Sequence, residues 1–485
     1  MKNLYAILGP PGTGKTTSTS AWMVKQAGIF GPSQVAACSF TKAGAVQLAS
    51  ACPSLPEQNV GTLHSFCFRA LGRPTLATKK LKSFNEAFPG SRLSGVQADT
   101  NSPYSERDAK ETLGDRLLEA TELLRARRVP RAEWPSHVLP FADRWDDWKK
   151  QTGVMDFTDL LEVCLRDVEA FPGDPMVLCL DEAQDSSRLQ LDLLLKWSAS
   201  MSKFVVAGDD DQVLYQWCGV DPGGLIDFVR ALPDDHVTTL AHSYRVPRVV
   251  HALAERWIKR SRDRLVKLYH PRDEEGVLRR GLPAFKTPRY LVQQAEKHAA
   301  AGRSVLFLAS CGYMLHPVIK ELKERGVPFH NPYRPARADW SPLVPGEKGR
   351  VRSVDRVMSF LREDASIFGE HARFWSGDDV FRWAEKLPAD GLFRHGGKKW
   401  LASLKGNLLP IEALDLLEWL TPDAGDQVKA LGFSSPEAVK RSLEWLCRRA
   451  TSVEARKLHY PARVVSSRGA AGLLEAPQIM VGTVH

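Results

Sequence analysis

The chain has 485 residues, 43% of them hydrophobic and 25% charged, which is ordinary for soluble globular protein and long enough for several domains. Lys and Arg number 66 against 57 Asp and Glu, a net charge of +9 that suits a polyanionic partner such as nucleic acid without requiring one. The eight scattered cysteines, with no C-x-x-C pair, predict reduced core thiols in a cytosolic protein, while the absence of long apolar runs, repeats and low-complexity tracts excludes a membrane span and a repeat array.

Leu4 to Leu8 predicts a short buried strand, which breaks at once into Gly9-Pro10-Pro11-Gly12-Thr13-Gly14-Lys15-Thr16-Thr17. This is the pattern of a phosphate-binding loop. Its glycines let successive N–H groups face a polyphosphate, and a helix opening near Lys15 adds its positive end. Lys15 is expected to neutralise the β and γ phosphates, and Thr16 to hold Mg²⁺. A helix to about Ala27, a strand over Gln34–Phe40 and a further helix then predict a parallel sheet with helical cover. Thr41 and Lys42 fall at a strand end and helix start, where a second phosphate could dock; Thr62 and His64 follow the next strand edge.

From about Leu76 to Gly153 the pattern is helical. Leu113, Leu117, Leu118, Leu123 and Leu124 predict one amphipathic helix, and Val138, Phe141, Trp145 and Trp148 another, with the tryptophans in the core. Met176 to Leu180 reads as a buried strand ending in Asp181-Glu182-Ala183-Gln184-Asp185. Beside a phosphate loop, Asp181 suits Mg²⁺ and Glu182 suits deprotonation of an attacking water. Lys203 to Ala207 predicts another strand, opening into Gly208-Asp209-Asp210-Asp211-Gln212. Three adjacent aspartates are costly unless solvated or facing a metal and polar site. Gln212 could report the γ-phosphate, Tyr215 and Trp217 could stack on bases, and in His242-Ser243-Tyr244-Arg245 an arginine finger could lie beside an adenine-stacking tyrosine.

The order GPPGTGKTT, SFTKAGA, VGTLHSF, DFTDLL (Asp156 to Leu161), LDEAQD, AGDDDQVLYQW and HSYR resembles the UvrD/Rep-like branch of superfamily 1 helicases. The resemblance implies an α/β P-loop NTPase with two RecA-like motor domains, each carrying a mainly helical insertion. It assigns 1–75 and 154–240 to the first motor domain, 76–153 to its insertion, 241–330 and 476–485 to an incomplete second motor domain, and 331–475 to the second insertion. It implies ATP and Mg²⁺ as cofactors, with Lys15, Thr16, Asp181, Glu182, Gln212 and Arg245 as the hydrolytic set and Tyr244 on the adenine. It also implies single-stranded DNA and single-strand/duplex junctions as partners, a track of Thr41, Lys42, Thr62, His64, Tyr215 and Trp217, and 3′ to 5′ movement.

Departures from the pattern accompany it. Leu63 and Cys218 stand where many members have an aromatic and an arginine, and Ile479 to His485 resembles only the opening of the fifth family motif. The sequence therefore predicts a fragment that a second polypeptide could complete. A weakly active or silent ATP- and DNA-binding chain, and a translocase that displaces proteins without unwinding, stay open as alternatives. The pathway, whether repair, replication or recombination, also stays open.

Overall fold

The computed structural model describes residues 3–95, 112–213, 219–220, 222–279, 287–332, 338, 340–346, 350–362 and 375–483. The chain divides into two compact units, Met1–Arg280 and Gly281–Val484.

The first unit is built on six parallel strands, β1 (Leu4–Leu8), β2 (Val35–Ser39), β3 (Val60–Thr62), β4 (Val177–Asp181), β5 (Lys203–Gly208) and β6 (Val237–Thr239), in the spatial order β3-β2-β4-β5-β1-β6. Its helices are α1 (Lys15–Phe30), α2 (Lys42–Ala51), α3 (Leu63–Ala70), α4 (Leu81–Ala87), α5 (Leu113–Ala126), α6 (Leu139–Thr152), α7 (Phe157–Asp167), α8 (Arg188–Ser198), α9 (Pro222–Arg230) and α10 (Arg248–Ile258). β4 is buried along its whole length because helices cover both faces of the sheet. Val177 and Cys179 join Met23 and Ala27 of α1 and Leu48 of α2 on one side. Leu178 and Leu180 join residues of α3, α7, α8 and α9 on the other.

The helical insertion closes over its own core of Phe84, Phe141, Trp145 and Trp148, where the sequence expected those tryptophans to lie. The leucine stripe of α5 is less regular than expected. Leu113 is 65% exposed, and Arg125 is buried on this helix. The cause is Asp156, which caps α7 and gathers Arg125 Nη1 at 2.9 Å, Lys149 Nζ at 2.6 Å and Trp145 Nε1 at 2.9 Å on one carboxylate oxygen. Burial would raise the Asp156 pKa, but Arg125 and then Lys149 outweigh it and hold the carboxyl well below the usual range. The DFTDLL stretch thus joins the insertion to the sheet domain.

The division between units falls at Gly281, beyond the expected start at 241. Bonds from Tyr244 N to Gly12 O (2.9 Å), Ser243 Oγ to Pro11 O (2.9 Å) and Tyr269 Oη to Pro11 O (2.8 Å) hold this stretch on the first unit.

The second unit carries α11 (Pro288–Ala300), α12 (His316–Glu324), α13 (Ser353–Phe360), α14 (Gly377–Ala384), α15 (Gly397–Ser403), α16 (Ala413–Trp419), α17 (Pro422–Lys429), α18 (Pro436–Arg449) and α19 (His459–Arg468). Its strands β7 (Val305–Ala309) and β8 (Ile479–Thr483) pair in parallel, and His330 adds a single bridge to Met480. One core, including Phe360, Trp375, Trp383, Trp445 and Val481, serves the whole unit. Lys398, in the basic patch beside Trp400, donates to the carbonyls of Ala384, Glu385 and Leu387 and so closes the end of α14. Among the described residues no helix is long and apolar enough to cross a membrane.

Candidate functional site

The phosphate loop lies between β1 and α1. Gly9 N donates to Gly208 O at 3.2 Å, Thr13 Oγ1 to Pro10 O at 2.8 Å, and the buried Lys15 Nζ to Gly9 O at 2.7 Å. Gly12 and Gly14 take φ values of +77° and +80°, which favour glycine. At Gly12 a Cβ would also stand 2.6 Å from Arg245 Cβ and 2.8 Å from Ser243 Oγ, so glycine here lets the HSYR segment reach the loop. The loop's free N–H groups and the first turn of α1 form a concavity suited to phosphate.

Asp181 ends β4, and its Oδ2 accepts from Thr16 Oγ1 at 3.3 Å. Its Oδ1 is buried without a hydrogen-bond partner. A hydroxyl and an orphaned carboxylate oxygen at the mouth of a phosphate loop are the donor set a hard divalent cation takes, so these two residues fit Mg²⁺. Burial, followed by the neighbouring Glu182 carboxylate, pushes the Asp181 pKa up to about 6. Glu182 itself sits at φ +53°, ψ +45°, a left-handed backbone that costs a non-glycine residue about 1–3 kcal/mol. Its Oε2 accepts from Gln184 Nε2 at 2.8 Å, and Gln184 Oε1 accepts from Asp209 N at 3.1 Å. Gln184 therefore links the carboxylate after β4 to the turn after β5.

That turn carries the three aspartates. Gln212 Nε2 donates to Asp209 Oδ2 at 2.6 Å. The charges the sequence expected to be solvated or facing a metal are instead met from within the chain. Lys267 Nζ contacts Asp209 Oδ1 at 2.7 Å, Asp210 Oδ1, and Asp211 Oδ2 at 3.1 Å. Arg264 holds Asp211 with two bonds, at 2.9 Å and 2.6 Å. Burial would raise the Asp211 pKa, but Arg264 and then Lys267 bring it below the usual value.

The HSYR segment lies against the loop. Ser243 is fully buried; its Oγ donates to Pro11 O at 2.9 Å and accepts from Val246 N at 3.0 Å. Tyr269 Oη donates to the same Pro11 carbonyl at 2.8 Å. Arg245 and Tyr244 project outward, Tyr244 with 74% of its surface exposed. Lys15, Thr16, Asp181, Glu182 and Gln212 thus follow the carboxyl ends of β1, β4 and β5, where open parallel sheets take ligands, and the Arg245 backbone lies beside Gly12.

The residues assigned to DNA fall elsewhere along the same edge. Thr41 follows β2 and Thr62 ends the neighbouring β3, and each caps the next helix, accepting from Gly44 N at 3.0 Å and Ser65 N at 3.3 Å. His64 meets Phe157 edge-to-face at 5.8 Å, and burial lowers its pKa to about 4, leaving it neutral at physiological pH. The Lys42 side chain, Tyr215 and Trp217 lie outside the described residues. Sequence reading gave no role to Gln184, Ser243, Lys267 or Tyr269. For Lys267 no local signal was present, because its apolar neighbours Val266 and Leu268 are themselves exposed, at 96% and 71%, and its acidic partners lie far away in the chain.

Residues 1–233 match the UvrD/REP helicase N-terminal domain family. The chain is 23% identical over 295 residues to the ATP-dependent DNA helicase PcrA of Bacillus subtilis (strain 168), an alignment covering 56% of this chain and 39% of that protein. It is 22% identical over 381 residues to PcrA of Staphylococcus aureus (strain NCTC 8325 / PS 47), covering 73% and 51%. It is 34% identical over 122 residues to the ATP-dependent DNA helicase UvrD2 of Mycobacterium tuberculosis (strain ATCC 25618 / H37Rv), covering 23% and 17%. The chain spans about half or less of the length of these relatives.

Proposed function

The chain belongs to the UvrD/Rep-like superfamily 1 helicases, and from that premise we propose that it couples ATP hydrolysis to movement along single-stranded DNA in the 3′ to 5′ direction. The observation that carries the reading is the convergence of Lys15, Thr16 and Asp181 at one sheet edge, with the unpartnered Asp181 Oδ1 beside the Thr16 hydroxyl.

In this reading Lys15 exchanges its bond to Gly9 O for the β and γ phosphates, and the first turn of α1 supplies N–H donors to them. Thr16 and Asp181 hold Mg²⁺, which when bound supplies positive charge to the phosphate oxygens. Glu182 takes the proton of a water whose oxygen bonds the γ-phosphorus, while the bond from that phosphorus to the β–γ bridging oxygen breaks and ADP leaves with its electron pair. Gln212 orients that water or the γ-phosphate, Arg245 stabilises the charge on the transferring group, and Tyr244 stacks on adenine. Asp209 and Gln184 relate Gln212 to Glu182, so both respond to the same phosphoryl group. Thr41, Lys42, Thr62, His64, Tyr215 and Trp217 contact DNA, with His64 acting as a neutral hydrogen-bonding ring rather than a phosphate-pairing cation. The relatives bear the name ATP-dependent DNA helicase, and the substrate class proposed for this chain is single-stranded DNA with its single-strand/duplex junctions.

The test is equilibrium binding of a fluorescent ATP analogue and of a labelled oligothymidine. Lys15→Ala should abolish nucleotide binding and leave DNA binding in place. Equal nucleotide affinity in wild type and Lys15→Ala would refute the site.

A further inference from the structure

The segment from Arg264 to Tyr269 closes over both sides of the nucleotide site. At one end Arg264 grips Asp211, and Leu265 N donates to Asp210 Oδ2 at 2.8 Å. At the other, Tyr269 Oη reaches Pro11 O of the phosphate loop. Between them Lys267 enters the aspartate turn with a side chain only 1% exposed, against Asp209 and Asp210 side chains that are 0% exposed.

Three adjacent carboxylates cannot be buried together without a compensating cation. Their oxygens lie within 4.8 Å of one another, a spacing that would also suit a metal ion, but the Lys267 ammonium stands among them. Burial opposes its charge, and Asp209 foremost restores it, so that its pKa lies above the ordinary value of 10.5. The consequence concerns Asp209, whose Oδ1 takes Lys267 while its Oδ2 takes the Gln212 side chain. Asp211 N also donates to Asp209 Oδ1, at 3.3 Å, so the ammonium at 2.7 Å is the shorter and the charged one of the two contacts that hold this carboxylate opposite Gln212.

We infer that Lys267 is a positioning residue for ATP hydrolysis: through Asp209 it fixes Gln212, and with Tyr269 on Pro11 it ties the aspartate turn to the phosphate loop. The inference rests on the hydrolytic role proposed for Gln212. It gives the strap a task distinct from binding nucleotide, since Lys267 touches neither the phosphate loop nor Asp181 among the described contacts.

The experiment compares Lys267→Met, Gln212→Ala and the double variant in the full chain, measuring kcat and KM for ATP and hydrogen exchange over residues 208–213. Lys267→Met should lower kcat by about 10²-fold, as misplacing a positioning group does, while KM changes little. Added to Gln212→Ala it should lower kcat no further, and exchange over the turn should rise. Unchanged kcat and exchange, or the same fold-loss in both backgrounds, would overturn the inference in favour of a purely structural tie. A wild-type chain without ATP hydrolysis would remove the functional reading instead, and the exchange result alone would then decide whether Lys267 orders the turn. Should Lys267→Met not fold, Lys267→Met with Asp210→Asn removes one negative charge alongside the positive one. Failure of that pair to fold would also overturn the inference.

Discussion

Replacing Asp156 by Ala removes one buried carboxylate that serves four donors. Its Oδ2 accepts from Arg125, Lys149 and Trp145, and its Oδ1 from Asp159 N at 2.7 Å as the cap of α7. Breaking a buried ion pair from one side costs about 3–5 kcal/mol, and here Asp159 and Glu162 remain to partner Arg125, which favours the lower end. Losing the cap adds about 1 kcal/mol, for a total near 4 kcal/mol. Asp156→Asn keeps a capping oxygen and the shape, so it should retain the cap's share. Hydrogen exchange of the α6 and α7 amides reads the change locally, without requiring the two units to unfold together. The pH dependence has a defined sign. Because the folded carboxyl lies below its ordinary 3.8, the stabilisation is present above that value and is lost as pH falls from there toward the folded value. The variants should lack this acid slope. A loss under about 1 kcal/mol, below the usual cost of a cap alone, would refute the hub. So would ATP hydrolysis lost with stability intact, since Asp156 would then serve the site rather than the joint.

Gly12→Ala should weaken nucleotide binding strongly, because the left-handed backbone at φ +77° and the 2.6 Å approach to Arg245 Cβ both penalise a side chain; titration with a fluorescent ATP analogue measures it, and Gly28→Ala, with open space around it, is the control. His64 carries a pKa lowered to about 4 by burial, so the unfolded chain binds a proton on acidification before the folded one does. Stability should therefore fall as pH drops through 6.5 toward 4, and His64→Gln should flatten that slope in thermal denaturation scans. Thr16→Ala and Asp181→Asn should each raise the Mg²⁺ concentration needed for half-maximal hydrolysis, read by titrating the metal at fixed ATP.

Local chemistry was the most legible part of this chain. The apolar run into GPPGTGKT, the Val177–Leu180 strand before Asp181 and Glu182, and the tryptophan spacing in α6 each carry their signal within a few residues, and each element forms where that signal lies. What escaped was long-range pairing. Lys267 meets aspartates 56 to 58 positions away in the chain, and Arg125 meets Asp156 31 positions away, so no window of periodicity contains both partners. The charge pattern alone suggested solvent or metal around Asp209 to Asp211. The folded chain supplies its own cation there. The same pairing ties residues after 241 to the phosphate loop and the aspartate turn.

The most direct test of the account is steady-state ATP hydrolysis by the chain with and without oligothymidine, wild type against Glu182→Gln. The account predicts hydrolysis stimulated by single-stranded DNA and reduced about 10²- to 10⁴-fold by Glu182→Gln, the usual share of a general base, with nucleotide binding retained. A rate that DNA does not stimulate, or that Glu182→Gln leaves unchanged, would contradict it.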